Sequence, residues 1–243
     1  MCPNKPRWPN LNMDESKLLK EQVEYYRARA SEYDEWFFRE GRYDRGSEHR
    51  ALWFGEVAIV EAALRDAFPP GSVLELACGT GLWTRHLAKR HSHIVAVDAS
   101  PEVIKINRER VNSDSVDYIV ADLFSSLPSG PFDAVFFGFW LSHVPPGEFD
   151  AFWERVRSIL RPNGSVFFVD SLPDQESTAR DHDPLDESGT IRRRLNDGRE
   201  FTVVKVFYEP TSLKRLLSER GWTGWVRSSG RFFLYGLVAP RAG

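Results

Sequence analysis

Cysteine is nearly absent: among 243 residues only Cys2 and Cys78 occur, far apart and without the spacing of a metal knuckle or a disulfide framework. No metal is therefore expected, and the composition fits a reducing, cytoplasmic compartment. No apolar run reaches the length of a bilayer span, and Met1-Cys2-Pro3-Asn4-Lys5-Pro6 lacks the apolar stretch of a signal peptide, so no membrane contact is expected. An excess of positive charge is also missing, since 32 Lys and Arg face 35 Asp and Glu for a net charge of -3, which supplies no global field for nucleic acid. There is no internal repeat and no low-complexity tract, although Pro3, Pro6 and Pro9 predict an extended start.

Present instead is the run Val73-Leu74-Glu75-Leu76-Ala77-Cys78-Gly79-Thr80-Gly81, apolar and then glycine-rich, leading into a helix-like segment from Leu82-Trp83-Thr84. Glycine removes the Cβ that keeps a ligand from the backbone, and amides at a helix start can face an electronegative group. The next apolar run, His93 to Val97, ends in Asp98, 17 residues after Gly81, where a carboxylate can accept from both ribose hydroxyls. A dinucleotide loop needs a third small residue, and Thr84 stands there instead. Glu75 would repel a phosphate, and either orders the loop or holds a cationic ligand.

Periodicity predicts helices over 13–39 and 47–67, strand 73–77, helix 82–90, strand 94–98, and helix 101–111 opened by Ser100-Pro101. Strands 117–120 and 132–138, helix 147–160 and strand 165–170 continue a parallel α/β pattern. Helix 211–220 and an antiparallel hairpin, 222–226 and 232–238, close the chain.

In this order the residues resemble the class I S-adenosylmethionine-dependent methyltransferases, whose first motif is matched by Glu75 to Gly81 with Ala77 in place of the first glycine. The resemblance continues through Asp98, through Ala121-Asp122-Leu123-Phe124 as a third motif meeting the adenine, through Phe132 to Phe137, and through Leu160-Arg161-Pro162-Asn163-Gly164-Ser165. It covers roughly residues 70 to 170 and the C-terminal end. It implies a seven-stranded Rossmann-like sheet, mostly parallel with an antiparallel C-terminal strand, an N-terminal helical lid and a β-hairpin insertion. The expected organisation is a single methyltransferase domain over 1–243, made of a lid (1–68), a cofactor-binding core (69–170), the insertion (171–210) and the sheet-completing helix and hairpin (211–243). The resemblance further implies S-adenosylmethionine as cofactor, with contacts from Tyr26, Tyr33, Glu75, Ala77, Gly79, Thr80, Gly81, Trp83, Asp98, Ala99, Ala121, Asp122, Leu123 and Phe139.

The acceptor is expected beyond the carboxyl ends of the first and fourth strands. His143, after the fourth strand, is either a catalytic base or the cap of the turn before Val144-Pro145-Pro146, and Trp140 either stacks on a substrate or packs on a helix. Tyr26, Ala30, Tyr33 and Phe37 share a face of one long N-terminal helix. In the insertion, 190–208 has the composition of a hairpin turning at Asp197-Gly198, and Arg193 points opposite to Arg192 and Arg194. Arg192 and Arg194 are the pair assigned to a substrate carboxylate or phosphate, the alternative being a solvated face. The reading is a methyltransferase acting on a small-molecule acceptor, hydroxyl or carboxylate oxygen favoured, as a monomer or homodimer. Its alternatives are a protein acceptor or a catalytically silent S-adenosylmethionine-binding partner.

Overall fold

The computed structural model describes residues 15–184 and 189–241. Residues 13 and 14, the three early prolines and the 185–188 part of the insertion lie outside them. Seven strands form one sheet: β1 (Ser72–Leu76), β2 (His93–Asp98), β3 (Val116–Val120), β4 (Phe132–Gly138), β5 (Leu160–Ser171), β8 (Trp222–Ser228) and β9 (Phe233–Pro240). Their order is β3-β2-β1-β4-β5-β9-β8, with β9 alone running against its neighbours, as expected. Strand order reverses at β1 and β4, which opens a crevice beyond their carboxyl ends.

The central strands are apolar on both faces because both are covered. Leu74, Leu76, Val135, Phe137 and Phe168 pack on one side against α6 (Phe149–Ser158) and α7 (Pro210–Glu219). Val73, Ile94, Ala134, Phe136 and Phe167 face the other side and meet Trp53, Val57, Val60 and Leu64 of α3 (Ser47–Arg65). Helix α5 (Pro101–Val111) begins as its sequence suggests, with the Ser100 hydroxyl accepting from the Val103 amide and proline in the first turn. The predicted helix 82–90 is shorter, α4 (Thr84–Leu87). The segment 161–164, which lies between the expected helix 147–160 and strand 165–170, belongs to β5, whose register with β4 shifts there.

The N-terminal helix departs most from expectation. It breaks into α1 (Glu15–Ala28) and α2 (Tyr33–Phe38), separated by turns at 29–32. The stripe that α1 buries is Leu18, Gln22 and Tyr25, with Tyr26 at its edge and the buried Arg29 in the turn that follows. The break turns Asp34 toward the glycine loop, where it accepts from the Thr80 hydroxyl at 2.6 Å and pairs with Arg110. This tertiary contact overrides a helical pattern that contains neither glycine nor proline.

The insertion folds as a two-stranded hairpin, β6 (Thr190–Arg194) and β7 (Glu200–Val204), separate from the main sheet. Its turn contains Asp197-Gly198, and the strand expected to reach residue 208 ends at Val204. Helix α1 covers the outer edge of β7: the Glu21 carboxylate accepts from the Thr202 amide and the Gln22 carbonyl from the Val204 amide. Tyr25 of α1 packs with Ile191, Leu195 and Val203 in a small core of its own, so helix and hairpin form one roof over the crevice.

Candidate active site

Two cavities lie under that roof. The first, about 690 Å³ including its mouth, is lined by Ala77, Gly79, Asp98, Ala99, Asp122, Leu123, Phe124, Phe139 and Trp140, with Tyr26 from the roof and Tyr33 from α2. The Asp98 carboxylate stands at the tip of β2, accepting from the Gly79 amide at 3.0 Å and the Ser100 amide at 2.9 Å. Burial pushes its carboxyl above the usual range and these amides pull it back. Leu123, Phe124 and Trp140 offer an apolar wall at the other end. An acid beside a glycine loop, with an apolar slot for a flat ring, suits the adenosyl group that the sequence implies. Ala121 precedes this wall, and Asp122 is exposed, its carboxylate accepting from the Phe124 amide and the Ser125 hydroxyl.

The loop is organised differently from expectation. A Cβ on Gly81 would stand 2.6 Å from Asn107 Oδ1, so this glycine makes room for a side chain and not for a ligand. Asn107, which the sequence reading passed over, is fully buried and donates to the carbonyls of Cys78 and Gly79 and to the Thr84 hydroxyl. Thr80 is bound to Asp34 and Arg110 and, with Trp83, lines a smaller pocket beside the first cavity that Tyr33, Ala77, Gly79 and Phe139 share. Glu75 is buried beneath the loop, hydrogen-bonded to Thr84, and lines neither of the two cavities under the roof; burial pushes its carboxyl up to about 8. Trp83 packs against Gly138 and Phe136.

The second cavity, about 590 Å³, shares Tyr26, Tyr33, Phe139 and His143 with the first. Its other walls carry three cations, Arg29, Arg193 and Lys205, among the phenols of Tyr25 and Tyr43. Lys205 is paired, 3.6 Å from Asp170 and 2.8 Å from the Ser142 hydroxyl. Arg29 and Arg193 have no carboxylate partner among the described residues. Arg29 instead lies over the rings of Tyr25 and Tyr33 and reaches the Tyr43 hydroxyl at 3.5 Å. Removing a cation from water without a counter-charge costs several kcal/mol, and a bound anion recovers that cost.

Arg192 and Arg194, the pair assigned to the acceptor, lie on the outer face of β6 and are exposed, bound to Glu200, with Arg192 also on Asp183. Arg193 is the arginine that turns inward. Its neighbours at two-residue spacing, Ile191 and Leu195, are buried, and that alternation was the available signal. Lys205 likewise was signalled as the one charge in Val203-Val204-Lys205-Val206. Trp140 lines the first cavity with Phe124 at 5.1 Å, and is absent from the walls of the second, where a substrate role would place it.

His143 does more than cap its turn. Its Nδ1 is 2.6 Å from the Val204 carbonyl, which can only accept, so Nδ1 carries the proton. Nε2 then accepts from the Tyr26 hydroxyl at 2.7 Å. Burial, followed by the nearby Lys205, holds the imidazole well below its usual pKa and so neutral. Burial also raises the Tyr26 phenol, which stays protonated as a donor at the boundary of the two cavities.

Comparison with known proteins bears on both cavities. Residues 73–164 match the model of a methyltransferase domain family. A solved structure of DhpI in complex with SAH is 37% identical, covering 95% of this chain and 100% of that one with a TM-score of 0.75. A DhpI complex with SAM and HEP, also 37% identical, gives 0.76 over 94% and 100%. The ubiquinone biosynthesis O-methyltransferase of Xanthomonas campestris pv. campestris (strain B100) is 36% identical over 116 residues, 46% of this chain and 47% of that protein. The chain thus spans about half the length of the first curated relatives it matches. Phosphoethanolamine N-methyltransferase 1 of Triticum aestivum is 29% identical over 140 residues, 55% of this chain and 26% of that one.

Two outcomes are expected. Asp98→Ala weakens binding of S-adenosylmethionine by about 1–3 kcal/mol through loss of charged hydrogen bonds; unchanged affinity by calorimetry would take Asp98 out of the site. Because the folded Glu75 carboxyl lies near 8 against 4.5 for an ordinary glutamate, its stabilising contribution is complete below 4.5 and is lost as pH rises to 8. Glu75→Gln should abolish that part of the pH dependence, so denaturation midpoints of the ligand-free wild type fall relative to the variant over this window. Parallel curves would show the carboxyl to be ionised in the fold.

Proposed function

Because the chain belongs to the class I S-adenosylmethionine-dependent methyltransferases, with S-adenosylmethionine as its cofactor, we propose that it methylates an oxygen of a small anionic acceptor. One observation carries the proposal: two guanidinium groups without a carboxylate partner among the described residues line a cavity that shares a wall with the cofactor cavity. The names of two relatives support it from separate sides, one an O-methyltransferase and one acting on phosphoethanolamine. The enclosed position beneath α1 and the hairpin favours a small molecule over a folded protein as acceptor.

When bound, the cofactor supplies a methyl group made electrophilic by its sulfonium. The chain's own task is placement, which can lower a barrier by as much as about 7–11 kcal/mol when reacting atoms are well aligned. Arg29, Arg193 and Lys205 hold the acceptor's anionic group, and Tyr26 and Tyr33 line both cavities. Phe139 closes the shared wall, held at a positive φ of 56° with its amide donating to the Val169 carbonyl at 2.7 Å. The roof excludes water. An oxygen that is already ionised needs no base, so His143 acts by fixing the Tyr26 hydroxyl instead of taking a proton from the acceptor.

The mass and fragmentation of products formed from labelled S-adenosylmethionine with a panel of carboxylates, phosphate monoesters, phenols and amines test this reading. Methyl esters of an acid support it, and methylation confined to amines or neutral phenols contradicts it. For the methylated acid, Arg193→Met should lower kcat/KM about tenfold to hundredfold with cofactor affinity unchanged. An unchanged kcat/KM would remove Arg193 from the acceptor site.

A further inference from the structure

His182 stands just behind the inner arginine of the hairpin and outside the cavity walls. Its Nδ1 is 2.8 Å from Arg193 Nη1. A guanidinium only donates, so Nδ1 is the acceptor and the ring proton sits on Nε2, 3.3 Å from the Arg194 carbonyl. The ring also meets Tyr43 edge-on at 6.3 Å, and Tyr43 accepts from Arg29. A line of side chains, Arg29, Tyr43, His182 and Arg193, thus runs along the back of the cavity with a cation at each end and neutral groups between.

Among the described residues, the neighbouring acids are engaged elsewhere. Asp181 pairs with Arg42 at 3.4 Å, and Asp183 pairs with Arg192 at 3.1 Å. Surface arginines of the same hairpin are thus matched to carboxylates, whereas the inward Arg193 is matched to an imidazole. Burial, and next Arg193 itself, pull His182 down to about 4, so it accepts without carrying charge near neutrality. A carboxylate in its place would orient the guanidinium equally well but would cancel the field that an anion needs.

Resting on the anionic-acceptor reading, we propose that His182 is a positioning residue, a neutral acceptor that fixes the Arg193 guanidinium while leaving its positive charge to the substrate. Its contribution is therefore specificity for an anion, made through Arg193 and without contact to the substrate.

Asparagine and aspartate separate contact from charge, since they are alike in shape and both place an oxygen near the position of Nδ1. The probes are inorganic phosphate and acetate, titrated by calorimetry into the complex with S-adenosylhomocysteine, whose own affinity reports folding. His182→Asn should keep anion affinity within about threefold of wild type, and His182→Asp should lose about tenfold or more, as an ion pair to Arg193 competes with the probe. Should His182→Asp not bind S-adenosylhomocysteine, His182→Ala takes its place, and a loss of about fivefold relative to His182→Asn is expected. Equal affinities in Asn and Asp variants, or in Asn and Ala variants, would overturn the role of His182 while leaving the anionic-acceptor reading intact. Failure of wild type to bind either anion would overturn both.

Discussion

Two guanidinium groups that line one cavity with no carboxylate partner among the described residues impose conditions on everything around them. They have to be held by groups that do not neutralise them, and the roof supplies these as phenols and an imidazole. They also have to be shielded from water, which requires α1 to lie across the hairpin. That docking is secured by Tyr25 in a small apolar core and by Glu21 and Gln22 on the free amides of β7. The turn that follows this helix also supplies Arg29, one of the cations of the second cavity.

The roof is coupled to the cofactor loop by a second set of contacts. Asp34 follows the break between α1 and α2 and ties the roof to Thr80 and Arg110. Asn107 fixes the same loop from below through two carbonyls and Thr84. Tyr26 joins the two cavities, because its hydroxyl is oriented by His143 and its ring lines both. Loop, roof and second cavity thus share side chains, and a change in one is felt by the others.

Much of the architecture could be read in advance where period and local chemistry coincide. The strands ending at Asp98 and Gly138 and the helix after Ser100-Pro101 stand close to where the pattern puts them. The N-terminal helix broke because a long-range contact at Asp34 outweighed a local preference. Alternation correctly set Arg193 opposite to Arg192 and Arg194, but which face is inside depends on α1, a packing partner far away in sequence. Ile191 and Leu195 beside Arg193 carried that information locally. The tautomer of His143 depends on the Val204 carbonyl, and nothing local marks it. Asn107 acts through contacts 23 to 29 residues away, beyond the reach of any short motif.

The central claim is that uncompensated positive charge under the roof selects the acceptor. The most direct measurement is the ratio of kcat/KM for one acceptor bearing an acid group and for its neutral primary amide, each also ranked as a competitive inhibitor of the other. The account predicts turnover of the acid and at least tenfold weaker binding of the amide, corresponding to about 1.4 kcal/mol or more. Equal recognition of acid and amide would contradict it.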